Sequence, residues 1–337
     1  MIRGDGIRRN VAEIDDDERD AFVAAIKELN NRHYPGSRDE FPPGGVSQWF
    51  KQDEIHQATH VHQGPEFLPW HRELCNRFEQ LIREANPQLS LHYWDWTTDP
   101  DPLFTPQFMG AKRKAGEGVE EGEVGEPWRS AGFYDPDADP FRGESVSDAA
   151  HAHPFDPPRS LTRKVADGPP DLPFSDREIT RSSNYLSMRI RLERCHDFAH
   201  GYIGGTIGNP HTAFRDPFVY LLHSNVDRLF AMWQYEDPAA RLNPTTVYGD
   251  DPGNPEWYVR RLQPWDGSGR TRPWVRPESE RLIKDYRHPS IVNPAQYDTL
   301  QPVGDGLLTA QQLHELRQAL GDAAALHTAL SHAHHNH

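Results

Sequence analysis

The sequence predicts a mainly α-helical fold, a compact helical core wrapped in long loops. Three observations lead there. Apolar residues recur at helical spacing in separate segments, as with Phe22, Ile26 and Leu29, or Phe218, Leu221, Leu222, Leu229 and Trp233. The 30 prolines, 25 glycines and mean hydropathy of −0.82 assign much of the remainder to irregular connections. Histidines also fall on the inner sides of the helices, where an unsatisfied imidazole is costly.

The 337 residues suffice for one large domain or two small ones. A net charge of −15 argues against nucleic acid or an anionic membrane surface as partner. The opening residues carry no apolar run like a secretory signal, and no stretch approaches membrane-span length, so a cytoplasmic location is expected. The two cysteines, Cys75 and Cys195, are too few for a disulfide framework and are read as free buried thiols.

The first helix is expected over 16–31, with Asp15 before it and acidic residues in its first turn. Residues 32–45 are loop by Pro and Gly content, and VSQWFKQDEIHQATH then puts Trp49, Phe50, Asp53 and His56 on one helical side. HQATHVHQGPEFLPWH holds His56, His60, His62 and His71, and Pro69 is expected to start a helix with His71, Leu74, Cys75, Phe78 and Ile82 inward. Residues 91–100 read as a turn packed on the core, and 101–180 as a long loop over it, with His151 and His153 on the surface.

A helix over 184–200 brings His196 and His200, four apart, to one face. The pair Gly204-Gly205 breaks it, and Asp216 with Pro217 opens the next helix as N-cap and first residue, carrying His223 and Asp227. Three imidazoles from two facing helices suit zinc, copper, iron or nickel. Beyond Gln234 the chain is Pro-rich and aromatic, with Trp257, Trp265 and Trp274, and reads as a collar. A terminal helix over 309–331 and an unstructured tail HAHHNH follow.

FLPWHREL, YWDW, HDFAH with its Gly pair, and DPFVYLLHSNVDRLFAMWQ resemble the signatures of the tyrosinase, catechol oxidase and haemocyanin superfamily, the type-3 copper proteins. The resemblance implies a four-helix bundle holding a dinuclear copper centre, each helix pair giving three histidines to one ion. It places a tyrosinase-like catalytic domain over 1–240, its core about 46–235, with 241–337 as collar and helix on the same domain.

By this resemblance His62 and His71 are the second and third ligands of the first copper, with His56 as the first and His60 as its rival. His196, His200 and His223 are ligands of the second. Asp227 is expected to hold an imidazole tautomer from behind, Phe67 to pack on the ligand rings, and Asp216 and Arg228 to be structural. Gly201 leaves the entrance open, and Pro210 and His211 line it. Family members that hydroxylate monophenols carry an Asn after the first ligand of the second copper and a Glu nine residues before that ligand. Here those places hold Asp197, a candidate base, and Ser187.

The implied activity is oxidation of ortho-diphenols, small phenols or catechols, to ortho-quinones with dioxygen. Alternatives are a full tyrosinase, a haemocyanin-like oxygen binder, and a dinuclear zinc or iron hydrolase. The last is disfavoured by an all-imidazole donor set.

Overall fold

The computed structural model describes residues 2–33, 47–59, 61–110, 122–123, 127–128, 161–210, 212–247, 265 and 293–300. His60, His151, His153, His211, Trp257, Trp274, the terminal helix and the His-rich tail lie outside them.

Helix α1 runs Asp16–Asn31 as expected. Asp15 caps it by accepting the Glu18 N–H at 3.1 Å, and Phe22, Val23, Ile26 and Leu29 bury its inner stripe. Helix α2 spans Gln48–Thr59, its start held by the Ser47 hydroxyl accepting the Phe50 N–H at 3.1 Å. Helix α3, Phe67–Ala85, begins two residues before Pro69. Proline is tolerated there because the first-turn N–H groups have no partner within the helix.

The region expected as one loop up to 180 contains the short antiparallel pair β1 (Gly122–Glu123) and β2 (Thr162–Arg163) and the helix α4 (Asp176–Thr180). Helix α4 carries a capping box, in which Ser175 and Glu178 satisfy each other's backbone N–H groups. Helix α5, Tyr185–Ile203, is capped by Asn184 and ends at Gly204. Gly204 and Gly205 have φ of 63° and 55°. A Cβ on Gly205 would lie 2.2 Å from the Thr162 carbonyl oxygen, so only glycine lets β2 meet the start of helix α6 (Gly205–Gly208).

Helix α7, Phe218–Tyr235, starts one residue later than expected, with Pro217 in the cap position. Asp216 still caps it, accepting the Phe218 N–H at 2.9 Å. The same carboxylate takes a two-pronged bond from Arg163 at 2.7 and 2.6 Å, with both side chains fully buried.

Helices α2, α3, α5 and α7 form the bundle, and α1 packs on α2 and α3. Residues 91–96 lie against α7 as expected: the Trp94 N–H reaches the Leu221 carbonyl at 2.9 Å. Trp49, Phe78 and Tyr220 join α2, α3 and α7 in one aromatic cluster. Cys75 and Cys195 are free and buried, and burial pushes the Cys195 thiol up to about 11. Among the described residues no helix is long and apolar enough to cross a membrane.

A buried polar network ties both outer segments to the bundle. Arg8 donates to Glu79 at 2.9 Å, to Asp227 at 3.1 Å, to Asn76 at 2.9 Å and to the Tyr297 hydroxyl at 2.8 Å. Burial pushes the Glu79 carboxyl up, but the Arg8 guanidinium outweighs it, and the net effect is a pKa below the usual value. A depressed folded-state pKa gives stability that is present above the unfolded pKa and lost as pH falls through the folded one. Glu79→Gln is therefore expected to be less stable at neutral pH and to lose less stability on acidification. Urea midpoints measured from neutral to acid pH check both parts.

Candidate metal centre

Six histidines converge where α2, α3, α5 and α7 face one another. His56 sits near the end of α2, His62 follows it, and His71 lies in the first turns of α3. Helix α5 brings His196 and His200 together with ring centroids 4.4 Å apart, and α7 supplies His223, whose ring is 5.0 Å from His196 and 5.1 Å from His200. His62 lies 5.3 Å from His56 and 5.4 Å from His71.

Candidate ligand atoms within 4.8 Å of one another form two groups, His56–His62–His71 and His71–His196–His223. The first is the expected trio. The second contains His71 where His200 was expected, because His71 stacks on His223 at 4.9 Å and 12°. His200 nevertheless borders the same space, and its Nε2 is buried with no hydrogen-bond partner.

The protonation pattern is set by fixed acceptors. Nδ1 of His71 faces the Phe67 carbonyl at 2.8 Å, that of His200 the Ile207 carbonyl at 2.7 Å, and that of His223 the Val219 carbonyl at 2.8 Å. A carbonyl can only accept, so each Nδ1 carries the proton and each neutral ring turns a bare Nε2 inward. Nδ1 of His196 faces the Asp197 carboxylate at 2.9 Å, with the same result.

Burial first, then the crowd of neighbouring imidazoles, holds His71, His196 and His223 well below the ordinary histidine pKa. Burial lowers His200 to about 4. The rings are neutral at pH 7, the form that ligates metal.

Nε2 of His196 and Nε2 of His223 stand 3.1 Å apart. Two lone pairs at that distance repel unless a proton or a cation lies with them, and the lowered pKa values disfavour the proton. Nε2 of His71 is likewise buried without a partner. Aimed, proton-free, buried nitrogens, grouped with no carboxylate among the described residues, fit a borderline or soft transition metal such as copper.

Asp227 does not hold an imidazole. It lies one turn beyond His223 and accepts from Arg8, from Tyr297 at 2.8 Å and from Arg72. The buried guanidiniums claim its oxygens, and the tautomers are set by main-chain carbonyls and by Asp197 instead. Asp197 is 60% exposed. Phe67 packs as expected, its ring 4.6 Å from His71, 5.0 Å from His196 and 5.8 Å from His62.

Gly201 is exposed with nothing within 4 Å of a Cβ built there, and Pro210 is exposed beside α6. Ser187 sits at the start of α5 in the Asn184 cap, more than two turns from His196. The buried carboxylate nearer the histidines is Glu193, one turn before His196, which linear counting missed. It accepts the Gln63 N–H, next to His62, and pairs with Arg189 at 2.7 Å.

A family profile described as the common central domain of tyrosinase matches residues 40–236. Grixazone synthase of Streptomyces griseus is 28% identical over 269 residues, 69% of this chain and 85% of that protein. A tyrosinase of Streptomyces lincolnensis is 26% identical over 278 residues, 78% and 93% of the two. A functional unit of octopus hemocyanin has a similar fold, with a TM-score of 0.52 at 19% identity over 93% of this chain and 72% of that one. The profile covers more than half of the chain and spans all six histidines, so the chain belongs to the tyrosinase family, oxidoreductases built on a dinuclear type-3 copper site.

Proposed function

We propose that this chain oxidises ortho-diphenols to ortho-quinones with dioxygen, through one copper held by His56, His62 and His71 and a second held by His196, His200 and His223. The observation that carries this is the set of inward Nε2 atoms with fixed tautomers on His71, His196, His200 and His223. When bound, the copper pair supplies two-electron redox capacity between a diphenol and dioxygen. Each diphenol loses two electrons and two protons, and two diphenols reduce one dioxygen to two waters.

The protein's own part is orientation and exclusion of water. The Phe67, Val219 and Ile207 carbonyls lock the rings, and the Phe67 side chain seals the floor between His62, His71 and His196. Gly201 and Pro210 leave a low rim through which a flat phenol ring enters.

Diphenol is favoured over monophenol by the commitments of the carboxylates. A monophenol must lose its proton before it can be presented ortho-carbon first, which calls for a positioned base. Asp197 accepts the His196 Nδ1–H on Oδ1, and Glu193 is engaged by Gln63 and Arg189. A missing base lowers the step it serves by about 10²–10⁴-fold. Oxygen uptake on paired substrates at matched pH, with trace diphenol present, is expected to give a monophenol rate about 10² or more below the diphenol rate. Equal rates make the protein a full tyrosinase, and reversible oxygen binding without turnover makes it a carrier.

A further inference from the structure

We propose that the 3-10 turn Ala213–Arg215 is a clamp that sets the spacing between the two histidine groups, with Phe214 as wedge and Arg215 as tie. The inference rests on the copper reading above and concerns residues that neither hold metal nor face substrate. Phe214 is fully buried and touches one ring from each group, with centroids 4.3 Å from His56 and 4.8 Å from His223. It cannot retreat, because Tyr220 lies edge-on to it at 5.2 Å and is itself stacked on Phe78 of α3.

Arg215, the next residue, donates its Nε to Asp53 of α2 at 2.9 Å, in a pair whose side chains are 8% and 0% exposed. Asp53 stands one turn before His56 on that helix, and Arg215 three residues before the start of α7, which carries His223. The turn is made rigid by the Arg215 N–H on the Thr212 carbonyl at 3.0 Å and the Asp216 N–H on the Ala213 carbonyl at 3.3 Å. A tie of fixed length and an incompressible ring thus connect the helix holding a ligand of the first copper to the helix holding a ligand of the second. Close packing transmits such constraints, since interior side chains have little free volume in which to shift.

The test is made on the full chain loaded with copper, comparing the unaltered protein with Arg215→Gln, Arg215→Lys and Phe214→Leu. Copper per chain, the electron paramagnetic resonance of the oxidised protein, thermal midpoint and kcat are measured. The unaltered protein is expected to hold two coppers and to be silent, because two adjacent cupric spins couple. Arg215→Gln and Phe214→Leu are expected to show an uncoupled cupric signal and a kcat lower by about 10–100-fold, the effect of misplacing reacting groups by up to an ångström. Arg215→Lys restores most of the silence, since it keeps a cation beside Asp53.

A merely structural role would lower the thermal midpoint and leave both variants silent with two coppers, which overturns the clamp while the copper reading stands. If Arg215→Gln does not fold, Phe214→Leu decides alone, as a smaller apolar side chain is tolerated in most cores. Failure of the unaltered protein to take up two coppers refutes both the clamp and the reading beneath it.

Discussion

Replacing His71 by alanine is expected to lower bound copper from two ions per chain to one or fewer and to abolish diphenol oxidation. His71 belongs to both groups of converging nitrogens and is stacked on His223, so it stands between the two groups. Its Nε2 is buried with no hydrogen-bond partner, and removing it deletes a donor that no neighbouring side chain replaces. Members of a catalytic set that acts as a unit are not additive, and losing one lowers kcat on the order of 10⁴-fold or more. His223→Ala is expected to give the same loss at the second ion. Metal analysis beside oxygen-uptake rates checks this, and full copper with full activity in either variant removes that histidine from the site.

The largest stability effect is expected at Asp227→Ala. The carboxylate receives Arg72 on one oxygen and Arg8 with the Tyr297 hydroxyl on the other, while its side chain is 2% exposed. Its removal takes the carboxylate from the buried Arg72 guanidinium and one of two carboxylates from Arg8, which keeps Glu79 at 2.9 Å. Breaking a buried ion pair from one side destabilises by about 3–5 kcal/mol, because the remaining charge has been taken out of water without compensation. That is a large part of the roughly 5–15 kcal/mol that holds a typical domain together. Arg72 keeps its bond to Gln234 at 2.8 Å and its place over the Phe230 ring at 4.1 Å, which limits the damage on its side. Urea denaturation gives the value, and a loss under about 1 kcal/mol would mean that Asp227 holds the network less tightly than the bonds indicate.

Local features of the fold were legible in the chain. Asp15 and the acidic first turn of α1, the i, i+4 pair His196 and His200, and the Asp216-Pro217 start of α7 act within one or two turns, and such signals survive in any tertiary context. The Ser175–Glu178 capping box was equally local but lay in a Pro-rich stretch whose composition argued for loop. Most of the histidine set was legible because spacing and family signature agree on it, and Phe67 packs on the rings as that signature implied.

What was not legible depends on long-range partners. The resemblance assigned Asp227 to an imidazole, yet its partners Arg8, Arg72 and Tyr297 are all far from it along the chain. Glu193 was passed over by counting to Ser187, since a count along the chain does not show which helical turn faces Gln63. Phe214 carries no periodic signal at all. Its role appears only once α2 and α7 are brought together.

Six imidazoles are proposed to hold two copper ions with no carboxylate joining them. Anomalous diffraction at the copper edge from copper-loaded crystals tests it most directly. Two peaks are expected inside the bundle, each about 2 Å from three imidazole nitrogens, the usual metal–imidazole distance. One peak is expected against His56, His62 and His71, the other against His196, His200 and His223. A single peak, a peak against a carboxylate oxygen, or His60 in the place of His56 would contradict the assignment.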